Sequence, residues 1–293
     1  MHPNLKAKCF GILTVLLLAA SLASAQIVNV SPVAGNPTAS GTALLNALAG
    51  ITDASTNKWY VIRLAPGNYD VGSTGLVMKP YVDIEGAGSP ATRIMGLGNN
   101  TSSSIAVIKG ASSAELRNLG VVSLGQGYTY SVALLIDQSI TSVRNVSLTS
   151  SNAAVTVGLL TLSSDSVIES LIVDLIGGTT SYGISTSGTG GLAPTIRHAV
   201  INSSGATNSF GIYSENNAVP VVRDADILVS ATNAYGIGIN RAAQYSSAAP
   251  YEVTNSKIVA TSSHIAVGID LNGHDAVTAS FNGNYVPLSA SCL

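Results

Sequence analysis

Val143-Arg144-Asn145-Val146-Ser147-Leu148 sets a pattern that recurs along most of the chain. An aliphatic, a charged or polar and a small polar residue precede two aliphatic positions separated by one outward residue. The same frame appears as Leu116-Arg117-Asn118-Leu119, Ile168-Glu169-Ser170-Leu171, Ile196-Arg197-His198-Ala199, Val222-Arg223-Asp224-Ala225 and Val253-Thr254-Asn255-Ser256. Successive copies, counted from Leu116, stand 27, 25, 28, 26 and 31 residues apart. A second marker, a small residue followed by an aliphatic one, keeps the same irregular beat. It reads Ala133-Leu134, Gly158-Leu159, Gly183-Ile184, Gly211-Ile212, Gly236-Ile237 and Gly268-Ile269, at steps of 25, 25, 28, 25 and 32 residues. Two markers drifting together define one repeating unit with loops of variable length.

Within each unit the pairs Leu119/Val121, Val146/Leu148, Leu171/Val173, Ala199/Ile201 and Ala225/Ile227 have the period of two that a strand requires. Strands this short bury little alone, so the units must stack, with neighbours about 4.8 Å apart. The third position of the frame is Asn118, Asn145, Ser170, His198, Asp224 and Asn255. It reads as a turn ladder, because Asn and Asp tolerate the left-handed conformation and can bond along a stack. Leucine-rich repeats have a shorter, stricter Leu pattern, propeller blades a longer unit, and a β-sandwich would not hold this register. The predicted fold is all-β: a right-handed parallel β-helix, a single-stranded solenoid. Extra residues around Ser187–Pro194 and Ala242–Pro250 read as loops on one side.

The first residues set the compartment. Lys6 and Lys8 precede an apolar run from Phe10 to Leu22, and Ala23-Ser24-Ala25 is a small-x-small cleavage signature. The run is short for a membrane span, so the expectation is a signal peptide over 1–25, with cleavage after Ala25 and no span afterwards. Cys9 precedes the apolar run, unlike a lipoprotein cysteine. The mature chain is expected to be secreted, periplasmic or held at the cell surface. Losing Lys6 and Lys8 takes Lys+Arg from 13 to 11 against 15 Asp+Glu, a net charge near −4, which disfavours a nucleic-acid partner. Cys292 is the only cysteine left, so no internal disulfide forms. Only 10% of residues are charged, and ladders of Ser, Thr and Asn are expected to supply the missing polarity.

Residues 26–55 read as a lead-in segment and cap, and 56–293 as the β-helix domain. Ala43, Leu44, Ala47 and Leu48 lie at helical spacing within 42–48, with Ser40 or Thr42 as the N-cap. A short helix there would cover the open end of the first coil. Next come Trp59-Tyr-Val-Ile-Arg-Leu-Ala-Pro-Gly-Asn-Tyr-Asp70 and Leu76-Val-Met-Lys-Pro-Tyr-Val-Asp-Ile-Glu-Gly-Ala-Gly88. This segment resembles the first coils of pectin lyase-like β-helix proteins, among them pectin methylesterases and many bacterial secreted repeat proteins. In that resemblance Gly67-x-Tyr69-x-acid opens the helix after a Pro-Gly turn, and Ile84-Glu-Gly-Ala-Gly88 is the second-coil strand and glycine turn.

The resemblance implies the fold and does not carry over a catalytic set. A pectin methylesterase would need paired Asp residues, oxyanion-stabilising Gln and a late Arg-Trp; the only Trp, Trp59, lies before the first coil motif. The Asp pair, Gly-His-Gly turn and Arg-x-Lys of polygalacturonases are missing, and Gly273-His274-Asp275 stands without the acids. The dense Asp cluster of calcium-dependent pectate lyases is also missing, and no metal or cofactor is called for. Stacking brings together one constellation, His198, Asp224 and Asp226 with Arg197 and Arg223, able to do acid–base work or clasp an acidic sugar. The structural alternative places His198 and Asp224 in the turn ladder, and Arg117, Arg144, Arg197 and Arg223 with Glu169 in a solvated column. Tyr128, Tyr130, Tyr182, Phe210, Tyr213, Tyr235 and Tyr245 offer rings to a sugar, although Tyr182, Phe210 and Tyr235 share one repeat position, which packing explains. The expected function is a non-catalytic protein that binds polysaccharide or builds a cell surface; the alternative is a lyase, hydrolase or esterase acting on acidic glycans.

Overall fold

The structure is a computed structural model. It describes residues 25–97, 99–100, 105–188, 192–216, 218–240, 251–272, 279–286 and 288–290. Residues 1–24 of the expected signal peptide, Tyr245, Gly273-His274-Asp275 and Cys292 therefore lie outside the described residues.

The strands stack in parallel, each coil on the next, in the register the repeat predicts. Leu116 faces Val143, Val143 faces Ile168, Ile168 faces Ile196, Ile196 faces Val222 and Val222 faces Val253. The second marker aligns Leu134 with Leu159, Ile184, Ile212, Ile237 and Ile269 in turn. This is the coil of a right-handed parallel β-helix. Each coil has three faces. The strand Thr141–Ser151 is representative: residues 141–144 form a first face, the chain bends at Asn145, and residues 146–151 form a second. Val155–Leu162 then forms the third.

The bend follows from the backbone at the ladder position. Asn118, Asn145, Ser170, His198, Asp224 and Asn255 all have φ between 51° and 58°, the left-handed region that Asn and Asp tolerate best. Asn145 also donates to Asn118 Oδ1 at 3.3 Å, one coil down. The aliphatic pairs after the bend are buried and join one continuous core.

The small residue of the second marker is a packing requirement. A Cβ on Gly183, Gly211 or Gly236 would come within 2.1–2.4 Å of the Cγ2 of Ile201, Ile227 or Ile258 on the second face. The third face is also apolar outside: Val132, Leu135, Val157 and Leu160 form a buried cluster with Ala106. Many hydroxyls turn inward, so they do not serve the solvent ladders expected of them. Ser123, Ser131 and Ser150 are buried and linked Oγ to Oγ at 2.7 and 2.8 Å, which satisfies them without water.

The capping helix α1 spans Pro37–Gly50 and is longer than expected at both ends. Its N-cap is Asn36, whose Oδ1 accepts the Ala39 N–H at 2.9 Å, with Pro37 opening the first turn. Ser40 and Thr42 are therefore not caps. Ser40 is buried, and its hydroxyl accepts the Val33 N–H while donating to the Asn36 carbonyl. Leu44 and Leu48 bury against the first coil. Gly41 allows the helix to approach it, since a Cβ there would stand 1.8 Å from the Asp70 carbonyl oxygen.

Candidate functional site

The outward residues of the first face form two columns. The one nearer the bend runs Arg63, Glu85, Arg117, Arg144, Glu169, Arg197 and Arg223 through successive coils. Its charges are largely consumed within the column and its neighbours. Arg117 meets Asp83 at 3.1 Å, Glu85 at 3.4 Å and Glu115 in a short contact. Arg144 lies 3.2 Å from Glu169 and 3.7 Å from Glu115. Arg223 grips both carboxylate oxygens of Glu252, at 2.9 and 3.2 Å. Burial opposes the charge of Arg117, but the carboxylates of Asp83 and Glu115 override it and hold the guanidinium above its usual range.

Arg197 and Arg223 thus stand in the charged column, while His198 and Asp224 occupy the bend ladder beside it. The His198 Nε2 lies 3.8 Å from the Asp224 Oδ2, with both side chains about half exposed. Asp226 belongs to a third column on the second face, in register with Val200 on one side and Lys257 on the other. Of the predicted constellation, the fold pairs His198 with Asp224, sets Arg197 beside Arg223, and commits Arg223 to Glu252.

The bend ladder also borders a groove. The groove has a volume of about 500 Å³; Gly88 and Ser89 wall one end, and Asn118, Asn145, Ser170 and His198 form a polar side. Ile172 and Val200, both exposed, form its floor. The wall is held where the Ser89 and Ser147 hydroxyls bond across Gly120, whose missing side chain makes the space. The sequence frame identifies the ladder, but not the Ser89 wall, which follows Gly88 in the coil stacked next to Asn118, where no Asn marks the bend.

The aromatic residues of the third face pack on one another. Tyr182, Phe210 and Tyr235 stack with centroids 5.3 and 4.7 Å apart and planes within 15°. Tyr213 leans against Tyr182 and Phe210 at 5.1 and 5.0 Å. Ring faces inside the column are covered by their neighbours, so edges rather than faces look outward. Burial, with smaller contributions from Tyr213 and Glu215, pushes the Tyr182 phenol up to about 12. Tyr128 is exposed and stands apart from this stack.

A second groove of about 500 Å³ lies against the outer column of the first face, where Trp59, Asp83, Glu115, Ile140, Arg144 and Val167 converge from successive coils. Sequence reading set Trp59 aside because it precedes the first coil motif. Only a column-by-column alignment of the repeats could have suggested its neighbours. Among the described residues, no three His, Cys, Asp or Glu side chains are placed to hold a metal, and no helix is long and apolar enough to cross a membrane.

No family profile matches the chain, and no curated protein sequence matches it either. Solved structures do. Pectin methylesterase PemA from Erwinia chrysanthemi shares 14% identity over 89% of each chain, with a TM-score of 0.43. A pectin methylesterase in complex with a hexasaccharide shares 15% over 73% of each chain, with a TM-score of 0.38. The A-module of the Azotobacter vinelandii mannuronan C-5 epimerase AlgE4 shares 16%, covering 87% of this chain and 95% of its own, with a TM-score of 0.27. The parallel register, rather than these overlaps, establishes the solenoid.

Proposed function

We propose that residues 26–293 form an exported β-helix protein that binds polysaccharide along its coils without transforming it. The observation that carries this reading is the groove beside the bend ladder. It presents one polar side chain per coil, Asn118, Asn145, Ser170 and His198, over the exposed Ile172 and Val200. Coils advance by about 4.8 Å, a step comparable to one sugar of an extended polysaccharide. Hydroxyl groups along such a chain would meet successive rungs, while its apolar ring faces would rest on the floor.

The test uses purified residues 26–293 with plant, algal and bacterial polysaccharides, recording binding together with released reducing ends, unsaturated ends and esters. Binding without turnover, weakened by Ile172→Lys at unchanged melting temperature, is the expected result. Binding that ignores Ile172→Lys would remove the groove from the account.

A second reading rests on the His198–Asp224 approach, a half-exposed pair flanked by Arg197 that could serve acid–base chemistry on an acidic glycan. It requires turnover that falls in His198→Ala and Asp224→Asn, with the fold intact.

A further inference from the structure

We infer that the groove beside Trp59 is a separate subsite for a neutral pyranose whose ring substituents are equatorial. It is distinct from the groove at the bend ladder and does not depend on it. The two grooves share no lining residue. The charged column of the first face stands between the outer column and the bend.

The fold assembles the site from elements far apart in sequence. Trp59 ends a short turn in which Ser55 and Lys58 pair, and its indole N–H donates to the Thr56 carbonyl at 3.1 Å. Tyr81 meets the ring edge to face, with centroids 5.3 Å apart and an interplanar angle of 77°. These two contacts fix the indole while leaving it on the groove wall. Ile140 and Val167, exposed at 59% and 45%, supply an apolar floor that water covers in the free protein.

The polar groups are fixed as well. Asp83 Oδ1 accepts the Glu115 backbone N–H at 2.9 Å, and both carboxylates are tied to Arg117. Arg144 reaches the groove between Glu115 and Glu169. An indole beside oriented carboxylates and a guanidinium is the chemistry of sugar recognition. The aromatic surface takes the C–H face of the ring, and the planar groups bond its hydroxyls.

Charge and shape narrow the class. Asp83 and Glu115 line the groove against one lining arginine, Arg144, which is already shared by two carboxylates. A uronate would face those carboxylates and find no uncommitted cation, so a neutral sugar fits. Equatorial substituents leave the ring faces free to lie on the indole, whereas an axial group would lift the ring away.

Trp59 is the only tryptophan in the chain, so its emission reports this groove directly. The experiment titrates residues 26–293 with cellohexaose and, separately, with hexagalacturonate. Saturable change in Trp59 emission with cellohexaose is expected, retained in Ile172→Lys and weakened about tenfold or more in Val167→Glu. Melting temperature checks that both variants fold. An emission change with hexagalacturonate alone would overturn the charge argument. No change with either sugar, while polysaccharide still binds at the bend ladder, would overturn the subsite and leave the proposed function standing.

Discussion

Replacing Gly211 by Ala tests the packing of the solenoid at its tightest recurring point. Alanine would ordinarily help an extended segment by about 0.5–1 kcal/mol, through the entropy glycine loses on folding. Here the new methyl would stand 2.2 Å from Ile227 Cγ2, 2.5 Å from the Gly236 carbonyl oxygen and 3.4 Å from Val229 Cγ2. Carbon atoms pack best about 3.5–4.0 Å apart, so the second and third faces would have to separate by more than about 1 Å. Coils on both sides oppose that movement. Overpacking of this kind costs about 1–3 kcal/mol; approaches of 2.2 and 2.5 Å put Gly211 at the upper end, so the net loss after the entropic gain is about 2 kcal/mol. Gly50→Ala is the control, because nothing lies within 4 Å of a Cβ there. Urea unfolding followed by circular dichroism should show a lower midpoint for Gly211→Ala and an unchanged or higher one for Gly50→Ala. A Gly211→Ala midpoint at or above wild type would refute the packing account of the small residue.

Three further outcomes follow from the described contacts. Arg117→Ala leaves Asp83, Glu85 and Glu115 without their shared cation, so stability should drop by about 1–3 kcal/mol at pH 7. That loss should shrink in high salt, which screens these partly exposed pairs, and a salt-independent loss in urea midpoints would contradict the ion-pair reading. Asn145→Val should destabilise by about 1–2 kcal/mol while Asn145→Gly is tolerated, since the position holds φ at 52°; equal melting temperatures would count against the bend geometry. Tyr182 is raised to about 12 from an ordinary value of 10.0. Its contribution to stability is therefore complete below about pH 10 and is lost as pH rises toward 12, because the unfolded chain ionises first. Absorbance titration at alkaline pH should show a late-ionising phenol that disappears in Tyr182→Phe; an unchanged titration would show that the ring is not held as described.

The coil was legible because its determinants are local and periodic. Leu119/Val121 and its counterparts alternate as a half-buried strand does, and Asn118, Asn145 and Asn255 mark a bend that few other residues accept. The register followed, since a slip would turn every one of those pairs outward. The third face was harder to read, because both its sides are apolar: Leu134 and Ile136 join the main core while Val132 and Leu135 join the outer cluster, so alternation gives no signal. The start of α1 was misplaced because Asn36 and Pro37 lie outside the amphipathic stretch that reveals the helix. Both grooves were missed for a different reason. Ser89 joins Ser147, and Trp59 joins Val167, through stacking between coils, and that stacking depends on loop lengths that no short motif records.

The central claim is that this solenoid holds polysaccharide without changing it. The most direct measurement incubates purified residues 26–293 with the polysaccharide panel and follows binding and product release in the same samples. The account predicts saturable binding, weakened in Ile172→Lys, with no reducing ends, unsaturated ends or esters released. Release of any of these products, lost in His198→Ala, would contradict it.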